Sequence, residues 1–212
     1  MTGTLHLQGV SIRLGERVIV PHLDRVIPPG EVLSVMGPSG SGKSTLLAFV
    51  AGFLDPAFRA EGAVLVGDED LTGRPPERRR LGLLFQDDLL FPHLSVAGNL
   101  AFGLRPEVKG AARRETIELA LAEAGLAGFG SRDPATLSGG QKARVALLRT
   151  LLAEPRALLL DEPFGKLDRD LRQEIRRFVF DHAAARRLPT LLVTHDPEDA
   201  ADAGGAVITL GP

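Results

Sequence analysis

The chain has 212 residues, 44% of them hydrophobic and 25% charged, with a net charge of −2 and a pI near 6.2. That length supports one domain with room for a sizeable core and a subdomain, and the lack of a basic excess argues against nucleic acid as the main partner. There is no cysteine, which excludes disulfides, thiolate metal sites and thiol chemistry; no basic-then-apolar leader is visible, and the apolar run at 46–51 is far short of the ~20 residues a membrane span needs.

The first thirty residues alternate in short patterns, Leu5-His6-Leu7 and Val18-Ile19-Val20, punctuated by Gly and Pro, and predict antiparallel strands. Residues 31–36 predict a strand running directly into Gly37, and 44–52 a buried helix. Residues 63–66 and 81–85 are two more strand candidates. Arg78-Arg79-Arg80, the densest basic patch, follows Pro75-Pro76-Glu77 and reads as a solvated loop edge. Beyond Gln86 the character changes. A short helix over 95–102 and a longer one over 111–124, with Ile117, Leu121 and Ala124 on one face, predict a helical insert between halves of an α/β core. A long helix over 139–153 ends before Pro155. The remainder alternates strand 157–160, helix 169–186, strand 190–193, a short helix and strand 206–210, which implies a largely parallel sheet with helices on its faces.

Gly37-Pro38-Ser39-Gly40-Ser41-Gly42-Lys43-Ser44 matches G-x-x-x-x-G-K-[ST] at every specified position, between a predicted strand and a predicted helix. The glycines let backbone N–H groups turn inward around anionic oxygens, and the helix that continues through Thr45 adds its positive end. Lys43 is placed to reach β- and γ-phosphates, and the Ser44 hydroxyl to coordinate Mg²⁺. With four lysines against twenty-one arginines in the chain, Lys43 looks less like surface filler.

Leu158-Leu159-Leu160-Asp161-Glu162 brings two carboxylates to a strand end, where open α/β sheets bind ligands. Asp161 suits a hold on Mg²⁺, and Glu162 suits polarisation of an attacking water. Gln86 could touch Mg²⁺ or its water, and His195 could reach the γ-phosphate or the water. Taken singly, each is ordinary: a polar strand end and a structural histidine. Leu137-Ser138-Gly139-Gly140-Gln141 is a second glycine-rich turn ahead of a helix.

In that order, with Asp168 between Glu162 and His195, the chain is similar to the ATP-binding subunits of ABC transporters over essentially its whole length. The resemblance implies a P-loop NTPase of the α/β class, forming a single ABC ATPase domain over 1–212. Its RecA-like core with an antiparallel β-subdomain would take 1–86 and 155–212, and its helical subdomain 87–154. It implies a homodimer packed head to tail around two ATP. Ser138, Gly139, Gly140 and Gln141 of one copy would complete the site on the phosphate loop of the other, with Asp168 at the subunit contact. Mg²⁺ would be held by Ser44, Gln86 and Asp161, and hydrolysis would use Glu162, His195, Lys43 and Gln86.

Leu90-Phe91-Pro92-His93-Leu94-Ser95-Val96, followed by Asn99-Leu100, is similar to ATPases of small-solute importers that work with a periplasmic binding protein. Asp133-Pro134-Ala135-Thr136 and Ala157-Leu158-Leu159-Leu160 resemble the thiamine-, sulfate- and iron-type group. This likeness implies a permease partner, an extracytoplasmic solute-binding protein in the same system, and a peripheral place on the cytoplasmic face of the membrane. An apolar surface around Leu89, Leu90 and Phe91 would suit a short helix of the permease. The alternatives are an exporter or lipid-extraction ATPase, a DNA-repair or translation ATPase of the same family, and a non-catalytic ATP-gated scaffold.

Three departures stand out. Leu14 occupies the position where the family stacks an aromatic residue on adenine, and the chain has no Tyr or Trp, which predicts weak base selection and a raised KM for ATP. Gly165 stands where a serine is common. The sequence stops at Pro212, so the regulatory domain that many importer ATPases carry is not expected.

Overall fold

The structure, a computed structural model, describes residues 3–211, so the expectations attached to the chain's two ends, the missing leader and the stop at Pro212, lie outside it. The early alternation resolves into β1 (Leu5–Leu14) and β2 (Arg17–Ile27), a hairpin closed at Gly15 with φ 57°. A two-residue hairpin turn demands such positive φ, and glycine adopts it without strain. β4 (Phe58–Val66) pairs with the other edge of β1, and the two-residue β5 (Glu69–Asp70) closes an antiparallel sheet in the order β2-β1-β4-β5. The strand expected over 63–66 therefore starts five residues earlier, because pairing with Ser11–Leu14 carries the polar Arg59 and Glu61 into the sheet.

The second sheet is parallel, in the order β6 (Gly82–Leu84), β7 (Leu158–Asp161), β8 (Thr190–Val193), β3 (Val32–Met36), β9 (Ala206–Thr209). Both faces are covered, so its inner strands are apolar without alternation. Successive side chains nonetheless go to opposite faces. Leu159, Leu191 and Val193 join a core shared with the antiparallel sheet and helix α1 (Lys43–Ala51). Leu158, Leu160 and Leu192 join another beneath α6 (Arg169–Ala185), with Phe164 and Val179.

A third apolar cluster is built from α3 (Val96–Gly103), α4 (Gly110–Glu123) and α5 (Gly139–Leu152). Helix α5 belongs to two cores. Ala146, Leu147 and Leu151 face the sheet-side cluster, while Val145 and Leu148 face the helical one. The glycine-rich turn at Ser138 thus sits at the head of a helix gripped from both sides. Short α7 (Pro197–Ala203) precedes β9.

One expectation fails inside the basic run. Arg78 and Arg80 are exposed, but Arg79, at the end of α2 (Pro76–Arg79), is buried. Its guanidinium donates to the carbonyls of Phe49 (2.9 Å) and Val50 (2.8 Å) at the end of α1, and to those of Arg74 and Thr72. A cation there meets the carbonyls of the helix's last turn and the negative helix end. Gly52 leaves it room, since a Cβ at that position would lie 2.5 Å from Arg79 Nε.

Candidate functional site

Four neighbouring parallel strands, β6-β7-β8-β3, end along one edge, and residues far apart in sequence collect there. Gln86 lies just past β6, Asp161 ends β7 with Glu162 next, His195 lies just past β8, and Gly37 follows β3. This is the carboxyl edge where open α/β sheets bind ligands. The remaining expected residues lie elsewhere, Ser138–Gln141 at the start of α5 and Asp168 at the start of α6.

The phosphate-type loop excludes side chains where it must turn. A Cβ on Gly37 would lie 2.4 Å from the carbonyl oxygen of Leu210, and one on Gly42 (φ 94°) 2.7 Å from that of Ile19. Lys43 is only 5% exposed, and its ammonium donates to the carbonyls of Gly37 (2.8 Å) and Pro38 (3.0 Å). The Ser41 hydroxyl is buried without a hydrogen-bond partner. An inward ammonium and an orphaned hydroxyl, in a cradle that no side chain fills, fit an anion.

Directly beyond the loop, the Ser44 hydroxyl donates to Asp161 Oδ1 at 3.2 Å. Among the described residues no three His, Asp or Glu side chains converge as a metal site. Ser44 and Asp161 offer two hard oxygens, so Mg²⁺ here would take its other ligands from phosphate and water, as it commonly does. Burial pushes the Asp161 carboxyl above the usual range. The Ser44 hydroxyl opposes that rise, Glu162 adds to it, and Lys43 opposes it.

A carboxyl that titrates higher in the fold than in the unfolded chain costs stability at each pH above its unfolded value, and that cost is complete above the folded pKa. Asp161→Asn should therefore raise the Tm of the isolated chain. A thermal melt of the variant checks this, and a lower Tm would contradict the sign.

Glu162 adopts φ 46°, an unusual conformation for a side-chain-bearing residue. Its N–H donates to Val193 O (2.9 Å), and its Oε2 lies 3.1 Å from His195 Nδ1. Gly165 closes a turn onto the Glu162 carbonyl, and a Cβ there would lie 3.0 Å from the Gln86 amide nitrogen. A serine would have to displace that amide slightly, which is what its replacement by glycine avoids.

The loop bearing His195 is held from α6. Arg172 donates to Asp196 (2.9 Å) and to Leu167 O (3.0 Å), and the buried Arg176 donates to Asp199 (2.6 Å), Asp202, Asp196 and Glu198. Thr194 donates to Asp199, and burial pushes the Asp199 carboxyl up against that hydroxyl and Arg176. Sequence reasoning passed over this group. Arg172 and Arg176 have the i, i+4 spacing of one helix face, but nothing local says which acids they meet.

At the head of α5, Ser138 and Gln141 form a reciprocal capping box: Gln141 N–H donates to Ser138 Oγ (3.3 Å) and Ser138 N–H to Gln141 Oε1 (3.0 Å). Gly140 is packed internally: a Cβ there would lie 2.4 Å from Leu171 Cδ1, so the leucine side chain would have to move. Gly139 is not, because its nearest neighbour would be Leu167 at an ordinary 3.7 Å. Asp168 caps α6 by accepting from Leu171 N–H (3.1 Å).

Leu14 lines a cavity of about 230 Å³ beside the phosphate-type loop. A separate apolar groove of about 630 Å³ is lined by Leu89, Phe91 and Phe102. Leu89 (φ 45°) is pinned there by Arg149, which donates to its carbonyl (2.8 Å). The expected surface is corrected at one position: Leu90 packs inward against the two helix-lined cores, and Phe102, 68% exposed, takes its place.

Residues 21–165 match the family described as ABC transporter. The chain is 45% identical over 195 residues, 92% of its own length and 90% of the relative's, to the Uncharacterized ABC transporter ATP-binding protein YnjD of Escherichia coli. It is 40% identical over 211 residues to the Sulfate/thiosulfate import ATP-binding protein CysA of Mycobacterium tuberculosis, 99% of this chain and 59% of that one. It is also 38% identical over 211 residues to the Spermidine/putrescine import ATP-binding protein PotA of Bacillus cereus, 99% of this chain and 64% of that one. The chain thus spans under two thirds of these two import relatives.

Proposed function

The chain belongs to the ABC transporter family as an ATP-binding subunit, an ATPase, and from that premise we propose that it energises a permease importing a small solute. The observation that carries this is the strand-edge cluster of Gly37–Thr45, Gln86, Asp161, Glu162 and His195. The loop N–H groups and Lys43 would hold the triphosphate, with Ser44 and Asp161, assisted by Gln86, holding Mg²⁺. Bound there, Mg²⁺ would neutralise charge on the phosphates. Glu162 would polarise the attacking water, with His195 steadying it at the γ-phosphate.

A second copy would close each site through its Ser138–Gln141 turn, with Asp168 at the contact; the lack of any internal need for glycine at 139 supports this. We divide the chain accordingly into a core with the antiparallel sheet (1–86 and 155–212) and a helical part (87–154), in keeping with the separate helical cluster.

Among the described residues no helix is long and apolar enough to cross a membrane, so the proposed work at the cytoplasmic face requires a docking surface. The groove of Leu89, Phe91 and Phe102 suits the apolar side of a short permease helix. Import, with an extracytoplasmic solute-binding protein, is supported by the import ATPases among the relatives.

The double variant Leu89→Glu, Phe102→Ser should lose co-purification with the membrane subunits while the isolated subunit keeps its ATPase rate; retained association would remove the groove as the docking site. Purifying the native complex tests direction. A permease accompanied by an extracytoplasmic receptor supports import, and one without any receptor favours export.

A further inference from the structure

We infer that Phe58 supplies the surface on which the nucleobase packs, an inference that rests on Gly37–Thr45 being the nucleotide's phosphate site. The cavity of about 230 Å³ beside the loop is lined by Gly42, Lys43 and Thr45 from the loop and α1, and by Leu14, Ile19 and Phe58 from the antiparallel sheet. The wall supplied by the sheet is entirely apolar, and Phe58 is its one aromatic ring. A nucleotide whose phosphates lie in the loop would place its base against such a wall.

The register explains why this ring stands there. β1 and β4 pair Leu14 directly with Phe58, which sets the two side chains together on one face of the sheet. Phe58 opens β4. Its N–H donates to the Asp55 carbonyl (3.0 Å), while the Asp55 carboxylate accepts from Ala57 N–H (2.8 Å), so a short turn fixes the approach. The ring is half-buried against the core, and its remaining surface faces the cavity. Leu14, 44% exposed, adds aliphatic contact but no π face. On this inference Phe58 would offset the weaker base binding expected from Leu14 alone. Because every base has a π face, such a surface is base-tolerant, and ATP and GTP should be held alike.

The test compares Mg²⁺-ATP with Mg²⁺-tripolyphosphate, which lacks base and ribose, by calorimetry. Phe58→Ala should weaken ATP by about 5- to 150-fold, the range of base stacking on an aromatic side chain in single-strand binders, and leave tripolyphosphate unchanged. Phe58→Leu, which keeps most of the apolar volume, should show a smaller loss of the same kind. The chain contains no Trp or Tyr, so Phe58→Trp creates a single fluorophore whose emission should respond to ATP and not to tripolyphosphate.

Wild-type ATP affinity in Phe58→Ala, or equal losses for both ligands, would overturn the inference. Lys43→Ala separates the underlying site from it: loss of both ligands upholds the phosphate site whatever Phe58 does, and retention of both removes that site.

Discussion

Glu162→Gln should lower ATP turnover by roughly 10²–10⁴-fold, the usual contribution of a positioned general base, while ATP still binds. The expectation follows from how the chain leaves β7. Asp161 completes the strand and meets Ser44, whereas Glu162, at φ 46°, swings its carboxylate to His195. Two consecutive acids are thereby set apart, one against Ser44 beside the phosphate-type loop and one against His195. Glutamine keeps the shape and can still hydrogen-bond the imidazole, so the fold and the nucleotide cradle should survive, but the amide cannot take a proton. With hydrolysis stalled, a nucleotide-sandwiched dimer should accumulate. Single-turnover hydrolysis and size-exclusion chromatography with Mg²⁺-ATP measure the two effects. Wild-type turnover would remove Glu162 as the base.

In the proposed head-to-tail dimer, half of each catalytic site lies on another copy. Ser138→Arg should reduce hydrolysis to background and abolish ATP-driven dimerisation, while the monomer still binds nucleotide through Gly37–Thr45. Within one chain the change is mild. Ser138 is exposed, and the substitution removes the capping hydroxyl from α5 at a cost of about 0.5–2 kcal/mol. A cap of that size cannot by itself silence a loop built on a different helix and strand. Loss of turnover with intact nucleotide binding would therefore report the missing intersubunit contact. Dimerisation and turnover at wild-type levels would exclude the head-to-tail arrangement, and loss of nucleotide binding would place the defect within the monomer.

Much of the molecule was legible residue by residue. Runs such as Leu158–Leu160 and Thr190–Val193 announced buried strands, Ser95 announced a helix start, and the loop at Gly37 announced its own chemistry, since each depends on neighbours close in sequence. Other features were hidden because long-range pairing decides them. The start of β4 at Phe58 was masked by Arg59 and Glu61 until β1 lay beside it. Leu90 looked like its neighbours Leu89 and Phe91 until the helical core claimed it.

By itself the sequence determined the order of elements, the phosphate-type loop, the pair of acids at a strand end and the second glycine-rich turn, because periodicity and backbone chemistry act over a few residues. Only the tertiary structure decided which of them meet. Ser44 reaches an aspartate 117 residues away because β7, β8 and β3 lie side by side. Arg79 is buried because the last turn of α1 presents the Phe49 and Val50 carbonyls to it. Phe58 stands beside the loop because antiparallel register sets it opposite Leu14. Register, burial and the partners of buried charges depend on the whole chain closing on itself, and no local window contains them.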